Sequence, residues 1–98
     1  MTNPLTKDHQ EYLLETLKDP DEAAAYLNAA LEENDNELFL LALRNVVKAS
    51  GMSKIARKAN LNRENLYKML SKKGNPEFSS LWSLLHSVGL ELSINPAH

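Results

Sequence analysis

Cysteine is missing from this chain of 98 residues. Without thiols the chain can form no disulfide, no thiolate zinc site and no cysteine nucleophile, and this composition suits a reducing cytoplasm. Glycine is also scarce, since only Gly51, Gly74 and Gly89 occur, and they are too widely separated to form a phosphate-cradling loop. These absences remove disulfide-stabilised folds and thiol-dependent chemistry from consideration.

Long apolar segments are absent as well. The longest run, Leu38 to Leu43, is far too short to span a bilayer, and the first 19 residues lack the continuous apolar core of a secretory signal. With 43% hydrophobic and 24% charged residues, the composition is that of a single folded domain large enough to bury a core. We therefore expect one cytoplasmic domain with no membrane segment.

Catalytic motifs are not found in the sequence. The three histidines, His9, His86 and His98, are far apart, and none lies in a metal-binding or catalytic motif. His86 follows Leu84 and Leu85, a setting more typical of a structural histidine than of a ligand. No serine lies in a G-x-S-x-G nucleophile elbow. The sequence thus predicts a protein that is not an enzyme and that has no catalytic residue, metal site or cofactor.

Basic residues are scarce only in the first third of the chain. Residues 1–37 contain two basic and ten acidic side chains, a net charge of −8, whereas residues 38–98 contain nine basic and three acidic side chains, a net charge of +6. All nine lie between Arg44 and Lys73, and such a basic block is typical of a nucleic-acid binder because it releases phosphate counterions. The acidic third is either a solvated surface or a docking surface for a basic partner.

The basic block contains two short helical patterns separated by a turn, over residues 52–71 with the sequence MSKIARKANLNRENLYKMLS. The apolar positions of both patterns follow one helical period, at Ile55, Ala56, Ala59, Leu66, Met69 and Leu70. Ala56 is small enough for two helices to cross closely, Asn60 tolerates the left-handed conformation of a corner, and Asn62 suits the N-cap of the second helix. This pattern predicts a helix-turn-helix unit.

In such a unit the second helix enters the major groove, and its polar residues contact base edges. We predict base reading by the non-core positions Asn62, Arg63, Glu64, Asn65, Tyr67 and Lys68. Arginine can pair with guanine, asparagine with adenine, and glutamate with the cytosine amino group. Phosphate contacts are predicted for the first helix and for the loop after the second, at Ser53, Lys54, Arg57, Lys58, Lys72, Lys73 and Asn75. The alternative is that these residues form only the solvated faces of a helical hairpin.

Four further helices and a strand are predicted outside this unit. They are a helix over 7–17, a helix that begins with Asp19 as N-cap and Pro20 at its first position, a helix over 37–50 that ends at Gly51, and a helix over 78–88. The helix over 37–50 is apolar on nearly every side, so we expect it to be buried centrally. The alternation in residues 90–94, Leu-Glu-Leu-Ser-Ile, predicts a short C-terminal strand.

A lone strand needs a second copy of the chain to pair with, unless it is only an extended tail packed on the core. The helix over 78–88 also carries more apolar width than one core contact requires. We therefore favour a homodimer, which would present two recognition helices one DNA turn apart. The residues predicted for its interface are Trp82, Leu84, Leu90, Leu92 and Ile94.

The sequence resembles the antitoxins of the addiction-module antidote type, which are relatives of phage repressor domains and accompany toxins of the RelE/ParE type. The resemblance covers residues 17–92 and rests on LKDPDEAAAYLNAALEE, on ELFLLALRNVVKASGMSKIARKANLNRENLYKMLS and on KKGNPEFSSLWSLLHSVGLEL. The segments RENLY and GNPEFSSL are specific in this order and spacing. Asn60 stands where glycine is common, and Ser80 stands where threonine is common.

The resemblance implies an all-α fold of the phage-repressor (Cro/C1) type. Residues 37–98 would form the helix-turn-helix domain and residues 1–36 an acidic helical extension, together one compact unit. The protein would bind double-stranded operator DNA as an autorepressor and would also bind and silence its toxin. Because such toxins are commonly basic, the acidic extension is the expected toxin-facing part, with Tyr12, Leu13, Glu22 and Tyr26 as candidate contacts. The alternative is a protein-binding adaptor, or a phage-type regulator without a toxin partner.

Overall fold

A computed structural model describes the backbone of residues 4–98 and the side chains of residues 8–98. The described chain forms six helices, α1 (Pro4–Thr16), α2 (Pro20–Glu32), α3 (Asn36–Ser50), α4 (Met52–Lys58), α5 (Arg63–Met69) and α6 (Phe78–Ser87). No strand occurs within residues 4–98, so the prediction of an all-helical protein is confirmed. None of these helices has both the length and the apolar character needed to cross a membrane.

Local capping sets the helix boundaries. Pro20 is the first residue of α2, and the carboxylate of the N-cap Asp19 accepts a hydrogen bond from the Asp21 backbone N–H at 2.9 Å, as predicted. The carboxylate of Asp35 caps α3 by accepting from two backbone N–H groups of its first turn at 3.0 and 3.2 Å. Gly51, at φ 104°, ends α3 in a conformation that favours glycine.

The α3 helix is the centre of the fold, since it packs against α1, α2 and α4, while α4 in turn packs against α5 and α6. Its buried residues are Leu40, Ala42, Leu43, Val46 and Val47. The predicted central burial holds for this face alone. On the opposite face Leu38 and Leu41 are 38% and 54% exposed, because no other element of the described chain covers them.

The turn between α4 and α5 has the predicted chemistry. Asn60 adopts φ 58°, in the left-handed region. The Leu61 N–H donates to the Ala56 carbonyl at 2.8 Å and the Asn60 N–H donates to the Arg57 carbonyl at 3.1 Å, which together form a Schellman motif. The side-chain oxygen of Asn62 then caps α5 by accepting two backbone N–H groups at 2.7 and 3.4 Å.

The prediction of a strand over residues 90–94 is not borne out in this single chain. Gly89, at φ 85°, turns the chain back after α6, and the Leu90 N–H donates to the Leu85 carbonyl at 2.8 Å. Beyond this bond, residues 91–98 form no backbone hydrogen bond within the described residues, because no other extended segment lies there to pair with them. The segment is therefore an extended tail, with Leu90 packed against the core and Ile94 99% exposed.

Candidate nucleic-acid interface

The predicted base-reading residues form one polar surface on α5 and its N-cap. Leu66 points into the core and is fully buried, which fixes the rotation of the helix. Tyr67 is half-buried, and the other predicted base-reading residues, Asn62, Arg63, Glu64, Asn65 and Lys68, are exposed. The helix therefore presents several hydrogen-bonding groups outward from a backbone that is anchored on its opposite side.

Tyr67 lies among three basic side chains. The Arg63 guanidinium donates a hydrogen bond to the Tyr67 hydroxyl at 3.4 Å, and its Cζ lies 5.6 Å from the ring centroid. The Arg44 Cζ lies 5.7 Å from the same centroid. The hydrogen bond from Arg63 lowers the pKa of Tyr67 from its ordinary value, the positive charges of Arg63, Lys48 and Arg44 lower it further, and desolvation opposes them. This cluster is electrostatically complementary to an anion.

Arg44 and Lys48 were not among the predicted site residues, although both belong to the basic block. They lie four residues apart on α3, so they share one face of that helix, and their neighbours in sequence are largely apolar. The sequence feature that could have identified them is the pair of basic residues at i and i+4 in an otherwise apolar helix. The sequence did not indicate that this face would meet α5, because that contact depends on how the helices pack.

The predicted phosphate-contacting residues are all exposed. Four lie on α4 and three on the loop that follows α5, namely Ser53, Lys54, Arg57, Lys58, Lys72, Lys73 and Asn75. Within the described part of the chain, none of the nine basic side chains of residues 44–73 forms an ion pair. The ion pair that is present lies on the N-terminal side, between Lys18 and Glu15 at 2.9 Å. The basic side chains of this surface therefore form no ion pair within the described residues.

The loop after α5 is held tightly against that helix. A Cβ placed on Gly74 would lie 2.1 Å from the Met69 carbonyl oxygen and 2.7 Å from its carbonyl carbon. Only glycine permits this approach without a shift of the backbone. Gly74 therefore fixes the position of Lys72 and Lys73 relative to α5.

Not all predicted phosphate contacts lie together. Lys72 lines a cavity of about 350 Å³ with Arg44, Leu70 and the first turns of α3. Lys58 instead lines a separate recess with Trp82 and His86 of α6. The structure thus brings Lys72 beside Arg44, whereas Lys58 faces a neighbouring aromatic surface.

The four candidate toxin contacts lie on α1 and α2. Tyr12 and Glu22 are exposed on α1 and α2, and Leu13 is half-buried against the core. The hydroxyl of Tyr26 accepts a hydrogen bond from the Asn45 side chain at 2.9 Å, which ties it to α3. Tyr26 also lines a recess of about 270 Å³ between α2 and α3, and the other lining residues are Ala29, Ala30, Glu33, Leu38, Leu41 and Ala42.

Of the predicted dimer contacts, the one at Leu84 is wrong. It is completely buried in the core of the single chain, so it has no surface to offer a second copy. Trp82 is 45% exposed on α6, and its ring centroid lies 6.0 Å from that of Phe78 and 4.6 Å from that of His86. His86 is exposed, and its Nδ1 lies 3.0 Å from the Trp82 carbonyl oxygen, which fits the structural role expected of it.

These features define a small all-helical protein with a cationic surface on one part and an acidic surface on another. Residues 8–96 match the sequence profile of a family described as "Probable addiction module antidote protein". Because the match spans most of the chain, the protein belongs to this family, and the antidote family predicted from the sequence is confirmed. The family description supports an antitoxin role for this protein.

A relative from Haemophilus influenzae, named only "Uncharacterized protein", is 40% identical over 80 residues, which cover 82% of each chain. No solved structure matches this chain.

Proposed function

We propose that the protein is the antitoxin of a type II toxin–antitoxin system, which represses its own operon by binding operator DNA and neutralises a RelE/ParE-type toxin. The observation that carries the DNA-binding half is the exposed cationic surface of α4, α5 and the following loop, whose basic side chains have no carboxylate partner among the described residues. The family description supports the antidote half.

In this proposal α4 and α5 act as a phage-repressor-type helix-turn-helix, with α5 in the major groove. Arg63, at the first position of α5, is the best candidate to recognise guanine, and Asn65 can pair with adenine. The exposed bases of α4 and of the loop after α5 would bind phosphates on either side of the groove and hold α5 in register.

DNA binding is tested with a duplex from the region upstream of the gene and a scrambled duplex of the same length. The proposal expects the upstream duplex to bind at least ~10³-fold more tightly, with affinity that falls steeply as salt rises. Arg63→Ala should reduce this ratio, whereas Lys72→Ala should weaken both duplexes equally. Failure of the protein to bind the upstream duplex at low salt would refute the DNA-binding half.

For the toxin we propose the surface between α2 and α3, which differs in part from the contacts expected from the sequence. Leu38 and Leu41 are exposed there, and the carboxylates of Glu33, Asp35 and Glu37 line the adjoining recesses. Glu33 is the charged residue of the recess toward α2, whereas Arg44 and Lys72 line the other recess together with Asp35 and Glu37. An apolar strip with carboxylates on its rim complements a basic protein that offers apolar side chains beside lysines or arginines. Toxins of the type that the resemblance implies are commonly basic.

The partner to test is the product of the reading frame adjacent to this gene. Leu41→Lys should weaken binding of that product at least tenfold, because it places a positive charge in the centre of the strip. Leu31→Lys is the matched control, since Leu31 is similarly exposed but lines a different recess, against the C-terminal tail. If the adjacent product does not bind the wild-type protein at all, the toxin half is wrong and the protein is a regulator of the phage type.

We also propose that the protein binds DNA as a homodimer. The C-terminal tail supports this, because its backbone forms no hydrogen bond beyond Leu90 within the described residues and Leu92 and Ile94 are exposed. Two tails could pair as antiparallel strands and bury these side chains. The exposed Trp82 would contribute to the same interface if α6 faces its copy.

A further inference from the structure

We infer that Arg44 and Lys48 of α3 form, together with the hydroxyl of Tyr67, a binding site for a DNA backbone phosphate beside α5. This inference rests on the proposed DNA-binding function and adds to it a third structural element, outside the predicted helix-turn-helix. The ligand class is a phosphodiester anion of duplex DNA. We call Arg44 and Lys48 the α3 basic pair.

Arg44 joins the α3 basic pair to α5 through its contact with the ring of Tyr67. The Arg44 guanidinium lies over the Tyr67 ring, 5.7 Å from its centroid, and the Arg63 guanidinium lies 5.6 Å from it. Lys48 is one helical turn beyond Arg44 and is exposed. Because residues four apart in a helix share a face, Lys48 lies on the same face of α3 as Arg44. Cationic groups from two helices thus converge at the edge of the surface that α5 presents.

The burial of Arg44 favours a phosphate ligand over a base. Its Nε is buried and has no hydrogen-bond partner among the described residues, so the side chain is held by packing and by its contact with Tyr67. A guanidinium anchored in this way cannot extend into the floor of a groove. It can meet a phosphate at the groove wall, where arginine donates through its terminal N–H groups to two oxygens.

Two carboxylates line the cavity into which Arg44 opens, and they do not neutralise it. The Asp35 Oδ1 accepts two backbone N–H groups as the cap of α3. Neither Asp35 nor Glu37 forms an ion pair with Arg44 in the described structure, and Lys72 adds a further positive charge to the same cavity. Two basic and two acidic side chains thus line this cavity, so the excess positive charge at the Tyr67 edge is supplied by Arg63 and Lys48, which do not line it.

The experiment compares the full-length wild-type protein with Arg44→Gln, Lys48→Gln and Arg44→Lys on the upstream and scrambled duplexes. Each glutamine variant should weaken both duplexes by the same factor, roughly three- to tenfold, and reduce the slope of log K against log salt by about one. Arg44→Lys should retain most of the slope. Lys18→Gln is the control, since it removes one positive charge outside the basic block. Lys48 is exposed, so its variant tests the site even if Arg44→Gln unfolds.

A second arm identifies the phosphate. Single phosphates of the upstream duplex are replaced by neutral methylphosphonates, and one such position should weaken the wild-type protein but cause no additional loss in Arg44→Gln, as expected for two partners of one contact. Unchanged affinity and salt slope in both glutamine variants would overturn the inference while the proposed function stands. A wild-type protein that binds neither duplex would overturn the proposed function itself.

Discussion

Among single residues, Tyr67 has the most informative surroundings. Its half-buried ring lies beside Arg44 and Arg63, and its hydroxyl accepts a hydrogen bond from Arg63. The same hydrogen bond restrains the Arg63 guanidinium at the first position of α5. Tyr67 is therefore best understood as a residue that positions Arg63, in addition to any contact that it makes with DNA.

Replacement of Arg63 should change the ionisation of Tyr67. The hydrogen bond and positive charge of Arg63 favour the phenolate, so Arg63→Ala is expected to raise the pKa of Tyr67 toward its ordinary value. The measurement is an NMR titration of the Tyr67 ring carbon at alkaline pH. Arg57→Ala, which removes an exposed arginine on α4, is the control and should leave this pKa unchanged. Equal pKa values in wild type and Arg63→Ala would contradict the assigned hydrogen bond.

The corner residue Asn60 offers a second test at this scale. Its φ of 58° is unfavourable for a side chain with an ordinary Cβ, so Asn60→Ala should lower the free energy of unfolding by about 1 kcal/mol. Asn60→Gly should remain within ~0.5 kcal/mol of the wild type, because glycine adopts this conformation freely but loses more entropy on folding. Urea denaturation measures both values. A loss in the glycine variant as large as in the alanine variant would show that the asparagine side chain itself is required.

Residue-level chemistry explains why the caps and corners were predictable and the Tyr67 cluster was not. Asp19, Asn60 and Asn62 act on backbone groups within a few positions of themselves, so the local sequence contains the whole interaction. Arg44 lies 23 positions before Tyr67 in the sequence, and the two side chains meet only in the folded chain, in which α4 packs against both α3 and α5. The charged residues can be read from the sequence, but which of them lie close together depends on how the helices pack.

For whole elements, amphipathic periodicity predicted each helix to within a few residues. It could not predict which apolar face would lack a neighbour. Leu38 and Leu41 have the same spacing as core leucines, yet the packing of α2 and α4 leaves them exposed. The strand expected over residues 90–94 does not form within the single chain for a related reason, because an alternating segment becomes a strand only where a second strand pairs with it.

The loop after α5 should be sensitive to a single methyl group. Gly74→Ala places a Cβ against the Met69 carbonyl, so we expect a loss of roughly 1–3 kcal/mol in the free energy of unfolding and a displaced Lys72–Lys73 segment with weaker binding to all duplexes. Gly89→Ala is the matched comparison, since its Cβ meets open space and only its φ of 85° is strained. It should cost about 1 kcal/mol and leave DNA affinity intact. A milder effect at Gly74 than at Gly89 would contradict the close approach.

On the scale of the whole molecule, the proposed homodimer should depend on the C-terminal tail. Ile94→Asp should lower the proportion of dimer, because it places a charge in the exposed apolar tail. Light scattering after gel filtration, at matched protein concentrations, measures the mass. Leu41→Asp serves as control, since Leu41 is a similarly exposed leucine on α3 that does not line the recess beside the tail. A wild-type protein with the mass of one chain, or a dimer unaffected by Ile94→Asp, would exclude the tail as the interface.

The separation of charge along the chain has a consequence for the speed of encounter. With −8 in residues 1–37 and +6 in residues 38–98, the charge is sharply divided between two segments of the chain although the net charge is only −2. Under the proposed function, a duplex attracts the cationic segment and repels the acidic one, so an approaching molecule is rotated before it collides. A larger fraction of collisions then has the productive orientation, which raises the association rate constant. A protein with a pI of 5.9 can therefore associate rapidly with a polyanion.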